Sequence, residues 1–404
     1  MTIIKKTVQE IGCGTGANFS GLLGANSIMH AQRNLNISVV WFLTTDGSCQ
    51  LPTGGMERWC RDVALLAQKQ GYTVRIYQKS QVAFEHEITP SIHVIGVPAS
   101  LSSWGNIQFA KWLEANVNPD EPMLFVSQEL CLSKQFTRCV GVNHGIWWDG
   151  DYPVWKKLLI KRLHRRLISQ MRGTICVDTN YINWCHAELP NRTHWQAKLA
   201  YIPNYADCEI FPKKVTETPK REKIVLLYPR RLMGKSIDTD ERGIGILLAA
   251  TRILLRRGVD VQLKCVGRGC LASQVMQWAN AHGLGERVQV SEMNLDGMAD
   301  VYCQSDVVVI PSIAHEGTSL AAIEALVCGR PVVATHIGGL PNIIIDGITG
   351  YMSDLSAESL ASAIEKAIQS GSPSAGFIDM VRTRLGKVRW ESQIWSYLEN
   401  KLHL

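Results

Sequence analysis

The stretch that most constrains this chain runs from Asp306 to Gly350, DVVVIPSIAHEGTSLAAIEALVCGRPVVATHIGGLPNIIIDGITG. The apolar run Val307 to Ile310, closed by Pro311, predicts a buried strand. After the loop Ser312 to Gly317, residues Thr318 to Cys328 predict a helix. Thr318 or Ser319 is its N-cap and Gly329 its stop. Val332 to Thr335 predicts a second buried strand. Strand, helix and strand in this order form a crossover unit, so the two strands should be parallel and adjacent.

The helix carries a chemical anomaly. Leu320, Ala321, Ala322, Ile323, Ala325, Leu326 and Val327 are apolar on nearly every face, as in a buried helix. Glu324 is the only charge, and burying a carboxylate is costly unless a partner satisfies it. A bound sugar, an arginine or a solvent gap would each do so. Glu316 stands upstream, at most about 12 Å away along the axis. Between the two lies the helix N-terminus, Gly317, Thr318, Ser319 and Leu320, whose free N–H groups and dipole favour an anion. Carboxylates only accept hydrogen bonds, so they suit sugar hydroxyls. A nucleotide sugar offers ribose hydroxyls, a diphosphate and hexose hydroxyls in that order. The carboxyl end of a parallel strand is also where open α/β sheets bind ligands.

Glu316-x7-Glu324, followed by Gly329-Arg330-Pro331-Val332-Val333-Ala334-Thr335, Gly338-Gly339 and Asp346-Gly347-Ile348-Thr349-Gly350, resembles the retaining glycosyltransferases of family 4. The resemblance implies the α/β GT-B fold, two Rossmann-like doubly wound parallel-sheet domains facing across a cleft. It implies transfer of a sugar from a nucleotide-sugar donor to an acceptor hydroxyl with retention at the anomeric carbon. The setting would be surface polysaccharide or glycoconjugate synthesis, with a glycan or lipid-linked acceptor. No metal and no other cofactor is implied. Glu316 would hold the transferred sugar and Glu324 the ribose. Arg231, with Lys235 or Arg242, would clamp the diphosphate. His144, at the end of a strand, would approach the sugar from the other domain. Gly54-Gly55-Met56-Glu57-Arg58 resembles the family's first glycine-rich loop, which faces the cleft. Asn342 stands where the family often has Glu. Val388 to Glu391 and Ile394 to Leu402 resemble its last helix, which returns to the first domain.

The domain plan that follows is an extension 1–36, an acceptor domain 37–205, a donor domain 206–375 and a returning segment 376–404. Alternating strand and helix patterns support it: strands at 37–45, 72–77, 92–97, 123–126, 138–142 and 174–178, then 224–228, 261–266 and 287–290.

Other signals narrow the class. A chain of 404 residues has room for two or three domains. Its net charge of +6 is too mild to argue for nucleic acid. Twelve Cys without a C-x-x-C pair read as reduced thiols of a cytoplasmic protein. Met1 to Glu10 has no signal-peptide character, and no apolar run reaches about 18 residues. Glu10-Ile11-Gly12-Cys13-Gly14-Thr15-Gly16 looks like the glycine loop of S-adenosylmethionine methyltransferases. No acid lies between Ala17 and Thr45 to hold a ribose, so it is read as a decoy. Asp149-Gly150-Asp151 and Asp238-Thr239-Asp240 do not follow strands as a metal-binding pair would, and read as loop acids. Trp155 to Arg172 predicts a helix with Lys156, Lys157, Lys161, Arg162, Arg165 and Arg166 and an apolar stripe of Leu158, Leu159, Leu163, Leu167 and Ile168. Such a helix can lie peripherally on the cytoplasmic face of an anionic membrane. A non-catalytic nucleotide- or sugar-binding module of the same fold is the alternative function.

Overall fold

The computed structural model describes residues 33–51, 54–148, 153–189, 195–213 and 223–404. The glycine motif at 10–16 and the loop acids Asp149 and Asp151 lie outside the described residues.

The first sheet contains β1 (Asn34–Val39), β2 (Thr73–Ser80), β3 (Phe84–Thr89), β4 (Ile92–Pro98), β5 (Met123–Phe125), β6 (Cys139–Asn143), β7 (Gly173–Cys176) and β8 (Leu199–Tyr201). Their order is β3-β4-β2-β1-β5-β6-β7-β8, and only β3 runs antiparallel to its neighbour. β1 ends before the apolar run to Thr45 does. Phe42 and Leu43 leave the ladder, and their amides bond Gln78 Oε1 at 3.0 and 2.7 Å. Helix α1 (Gly55–Lys69) covers one face of this sheet through Trp59 and Val63. Helices α2 (Gly105–Asn116) and α3 (Val154–Gln170) lie together on another core, through Phe109, Leu113, Leu167 and Met171. The apolar stripe expected on α3 is divided. Leu167 and Ile168 face inward, whereas Leu158 and Leu159 face solvent. Helix α4 (Thr179–Glu188) follows β7, capped by the Asp178 carboxylate, which accepts from the Tyr181 amide at 3.1 Å.

The second sheet contains β9 (Ile224–Tyr228), β10 (Val261–Val266), β11 (Val288–Ser291), β12 (Val307–Ile310), β13 (Val332–Thr335) and β14 (Gly350–Ser353). Its order, β11-β10-β9-β12-β13-β14, is parallel throughout. Relative to β9 as first strand this is the 3-2-1-4-5-6 arrangement, with its switch point between β9 and β12. β12 and β13 pair in parallel from Val308 opposite Val332, as the crossover pattern demanded. Helices α5 (Ile244–Arg256), α6 (Ala272–Ala281) and α9 (Ala357–Ser370) share one core; α7 (Leu295–Cys303), α8 (Leu320–Val327) and α10 (Ala375–Leu385) share the other.

The last helix, α11 (Lys387–Leu402), returns to the first sheet and buries Trp390, Ile394, Leu398 and Leu402 in the same core as α1. The two chain crossings run side by side. The Ala206 amide donates to Leu385 O at 2.9 Å, and the Lys387 amide donates to Ala206 O at 3.0 Å. Around them Tyr205 Oη donates to Asp62 Oδ2 at 2.5 Å, and Lys387 Nζ lies 3.2 Å from Asp62 and 3.3 Å from Asp207. Burial works to raise the Asp62 carboxyl, but hydrogen bonds from Tyr205 and Arg61 hold it below the usual range. Tyr205 stacks on Trp390 with ring centroids 3.9 Å apart.

Candidate functional site

The switch point of the second sheet places Arg230, just past β9, beside Glu316, in the loop after β12. Arg230 Nη2 lies 2.6 Å from Glu316 Oε2, which also accepts from Ser312 Oγ at 2.8 Å. Arg230 Nη1 donates to Ser319 Oγ at 3.3 Å. Burial opposes the Arg230 charge, but the adjacent Glu316 carboxylate outweighs it and raises its pKa. Both bonds to Glu316 fall on Oε2, which leaves Oε1 to accept a hydroxyl.

Arg230 is the arginine buried against Glu316, whereas Arg231, expected to clamp the diphosphate, is exposed. β9 is buried on both faces and its alternation does not show which of two adjacent arginines turns inward. Of Lys235 and Arg242, the two alternatives for the second clamp, Arg242 lies with these arginines. Arg242 is close enough to feel both Arg230 and Arg231. Burial, then repulsion from these two guanidiniums, lowers its pKa. Lys235 is exposed, and its carbonyl accepts from Gln274 of α6 at 3.4 Å. Arg242 is thus within electrostatic reach of Arg230, Arg231 and Glu316, and among the described residues no salt bridge reaches Arg231 or Arg242.

Glu324 is not isolated. Its Oε1 lies 2.6 Å from Arg58 Nη2 of α1, and its Oε2 accepts from Tyr302 Oη of α7 at 2.8 Å. Arg58 lies in the first turn of α1, just after Gly54-Gly55 on the first domain, so this ion pair joins the two domains. Burial opposes the Arg58 charge and Glu324 more than restores it. The expected phosphate cradle is likewise shared with the first domain. Thr318 turns away from a donor position: its Oγ1 donates to Val177 O at 2.8 Å and accepts from the Asn204 amide at 3.0 Å. Ser319 caps α8 and meets Arg230, and Leu320 lies against Gly55. Gly54 is covered by the Glu57 carboxylate, which accepts from Trp41 Nε1 at 2.9 Å.

Two glycine positions are required by close approach. Gly145, at φ +120°, sits against Gly317, and a Cβ on Gly317 would lie 2.6 Å from His144 O. Gly338, at φ +54°, has no room for a Cβ beside the Glu316 carbonyl. The Gly338-Gly339 turn thereby supports the loop that carries Glu316. Asn342, where a Glu was expected, clamps α4 from the other domain: its Oδ1 accepts from the Thr179 amide at 2.9 Å and its Nδ2 donates to Thr179 Oγ1 at 2.8 Å.

His144 packs edge-on against Trp59, ring centroids 5.6 Å apart. Burial lowers its pKa to about 4, with a hydrogen bond to the Val126 backbone acting the other way. It is therefore neutral near pH 7. Its Nε2 is shut from solvent without a hydrogen-bond partner. Asp240, of the second loop-acid pair, is buried with its Oδ2 3.2 Å from the Ile244 amide, capping α5. Sequence reasoning missed Arg230, Ser312, Tyr302 and the pairing of Arg58. Only Arg58 had a signal, its place beside the two glycines.

Residues 230–370 match the family described as glycosyl transferases group 1. The chain is similar to the phosphatidylinositol N-acetylglucosaminyltransferase GPI3 subunit of Saccharomyces cerevisiae, at 26% identity over 240 residues, covering 57% of this chain and 50% of that one. It spans about half or less of the curated relatives it matches first. Among solved structures it is similar to the sucrose-phosphate synthase of Thermosynechococcus elongatus, with TM-score 0.73 and 16% identity over 91% of this chain and 99% of that one. It is also similar to Anabaena HepE in complex with UDP-glucose, with TM-score 0.67 and 16% identity over 91% and 100%. The chain therefore has the GT-B fold, and residues 230–370 of its second domain match the group 1 glycosyl transferases.

Proposed function

We propose that the protein transfers a sugar from a nucleotide-sugar donor to an acceptor hydroxyl, with retention of anomeric configuration. The observation that carries this reading is the convergence of Arg230, Arg231 and Arg242 with Glu316 at the switch point of the second sheet. Glu316 balances one guanidinium, and the two remaining charges match a diphosphate. Fixed cations aimed at a departing anion in a site of low dielectric are the largest contribution such a site can make to rate. Glu316 Oε1 receives hexose hydroxyls, and Glu324 adds a ribose hydroxyl to the bonds it already accepts. The anomeric C–O bond to the diphosphate breaks as the bond to the acceptor oxygen forms on the same face. The acceptor proton passes to the departing phosphate oxygen. Neutral His144 borders the sugar from the first domain.

The acceptor is a glycan or lipid-linked hydroxyl of a surface polysaccharide or glycoconjugate. The similarity to a phosphatidylinositol N-acetylglucosaminyltransferase subunit supports this class. The test is a panel of nucleotide sugars assayed for slow donor hydrolysis. One donor should be hydrolysed, and Arg242→Ala should abolish the reaction. Donor binding without turnover would make the protein a binding module; neither binding nor turnover would overturn the reading.

A further inference from the structure

No described helix is long and apolar enough to cross a membrane. Yet the first domain exposes large apolar side chains in one region. On α3, Trp155 is 63% exposed, Leu158 60% and Leu159 58%. Just before α2, Trp104 is 79% exposed, and Leu101 and Ile107 flank it in the open. Helices α2 and α3 share one core, so they are neighbours on the sheet. They begin after β4 and β6, at the carboxyl edge that faces the second domain. Four strand spacings of about 4.8 Å separate those strands, so the two apolar tips stand roughly 20 Å apart along one rim.

The Trp104 tip is built, not loose. Lys79, buried at the end of β2, reaches beneath it. Its Nζ donates to Leu101 O and Ser102 O at 3.3 Å each and to Asn106 Oδ1 at 2.7 Å. The α3 tip is bordered by charge of one sign. Lys161 pairs with Glu188 at 2.6 Å, Arg166 donates to Leu132 O, and Lys156 lies over the Trp147 ring at 5.8 Å. Lys157, Arg162 and Arg165 remain exposed and, among the described residues, without a carboxylate partner. No acid lies on α3. Trp155, Leu158, Leu159, Arg162 and Arg165 follow helical spacing, so apolar and basic groups share the outward face.

We infer that this rim, the Trp104 tip together with the start of α3, docks on an anionic lipid bilayer, and that the acceptor is an amphiphile presented from it. Charge selects this occupant over a second copy of the chain. A symmetric contact through this face would set Lys157, Arg162 and Arg165 against their own copies. An anionic surface is attracted to the same residues, each by about fivefold in partition. The rim adjoins the edge that carries His144, so docking brings the acceptor side of the cleft to the lipid surface. The acceptor assignment rests on the transferase reading; the docking does not.

The test is flotation of the full chain with vesicles of phosphatidylglycerol and phosphatidylcholine, against phosphatidylcholine alone. The protein should float with anionic vesicles at low salt and leave them at high salt. The triple variant Lys157→Ser, Arg162→Ser, Arg165→Ser should lower partition by roughly a hundredfold. Trp104→Ser should lower it about tenfold with an unchanged salt slope, since it removes apolar contact and no charge. Equal binding to neutral vesicles, absence of flotation, or a Trp104→Ser variant that floats like wild type would overturn the inference. So would self-association in sedimentation that Trp155→Ser abolishes, because the face would then belong to a second copy. Donor hydrolysis is measured on the same preparations without vesicles and should be unchanged in every variant. Flotation without hydrolysis would sink the transferase reading alone, and hydrolysis without flotation would sink the docking alone.

Discussion

The Arg58–Glu324 pair offers the sharpest test of the cleft. Its charges lie 2.6 Å apart, with the Glu324 side chain 7% exposed and that of Arg58 19%. The carboxylate is the more deeply buried partner, so the two single substitutions should not be equivalent. Arg58→Met keeps the apolar stem but leaves a buried carboxylate with only Tyr302. Removing one partner of a buried pair costs about 3–5 kcal/mol, and the partial exposure of Arg58 argues for the lower end. Glu324→Gln still accepts from Tyr302 and leaves Arg58 nearer solvent, at a cost of about 1.5–3 kcal/mol. The double variant strands no charge, so its loss should fall short of the sum by about 2 kcal/mol. With an unfolding entropy of about 2 cal/mol/K per residue, a body of this size moves by roughly 1 °C in Tm per kcal/mol. Thermal unfolding of the four proteins near neutral pH should show a larger drop for Arg58→Met than for Glu324→Gln and a double variant within about 1 kcal/mol of Arg58→Met. Strictly additive shifts would mean that the contact carries no coupling. Glu324→Gln should also weaken donor affinity by about tenfold or more in a titration calorimeter. Unchanged affinity beside a lowered Tm would leave Glu324 a cleft-bridging residue and nothing more.

Arg242→Ala should weaken donor binding by about ten- to a hundredfold while leaving the ligand-free Tm unchanged or higher, because burial and two neighbouring arginines oppose its charge; a clear loss of Tm would contradict this. His164 is buried and its pKa is lowered by burial to about 3, so between about pH 6.5 and 3 the unfolded chain binds a proton that the native chain does not. Stability must therefore fall as pH drops through that window, and His164→Phe should flatten the decline in pH-dependent thermal unfolding; parallel curves would refute it. Transfer should survive a metal chelator, and loss of activity with EDTA that manganese restores would require a metal at the diphosphate.

The second domain was the more legible half. β9, β12 and β13 keep the bounds of their apolar runs, because parallel strands covered on both faces read as nearly continuous hydrophobic stretches, and β10 keeps its bounds although Gln262 and Lys264 interrupt it. The same burial hid which of Arg230 and Arg231 turns inward. β3 escaped notice because Phe84–Thr89 alternates charge with hydrophobicity on an exposed edge and reads as a loop. α4 and α10 escaped because each is short and polar on much of its surface. The anomaly of a lone carboxylate in an apolar helix was correctly located at Glu324. Its partner could not be named, since Arg58 lies 266 residues away in the chain. The stripe on α3 misled in the opposite direction. Helical spacing could not say which leucines a neighbouring sheet would cover.

The paired crossings at Ala206 and Gly386 have a consequence for how the molecule is made. Asp207 and Lys387 are 180 residues apart in the chain but share one ion pair, and everything beyond Lys387 completes the core of the first domain. During synthesis at about 5–20 residues per second, that core waits on the order of ten seconds or more for Trp390, Ile394 and Leu398 to emerge. The second sheet, continuous from β9 to β14, is complete before they do. Folding on the ribosome should therefore run against the order of the chain, with the earlier domain closing last around Trp59 and Val63. A nascent chain stalled just short of α11 should show a protease-resistant second domain beside a first domain that is still cleaved.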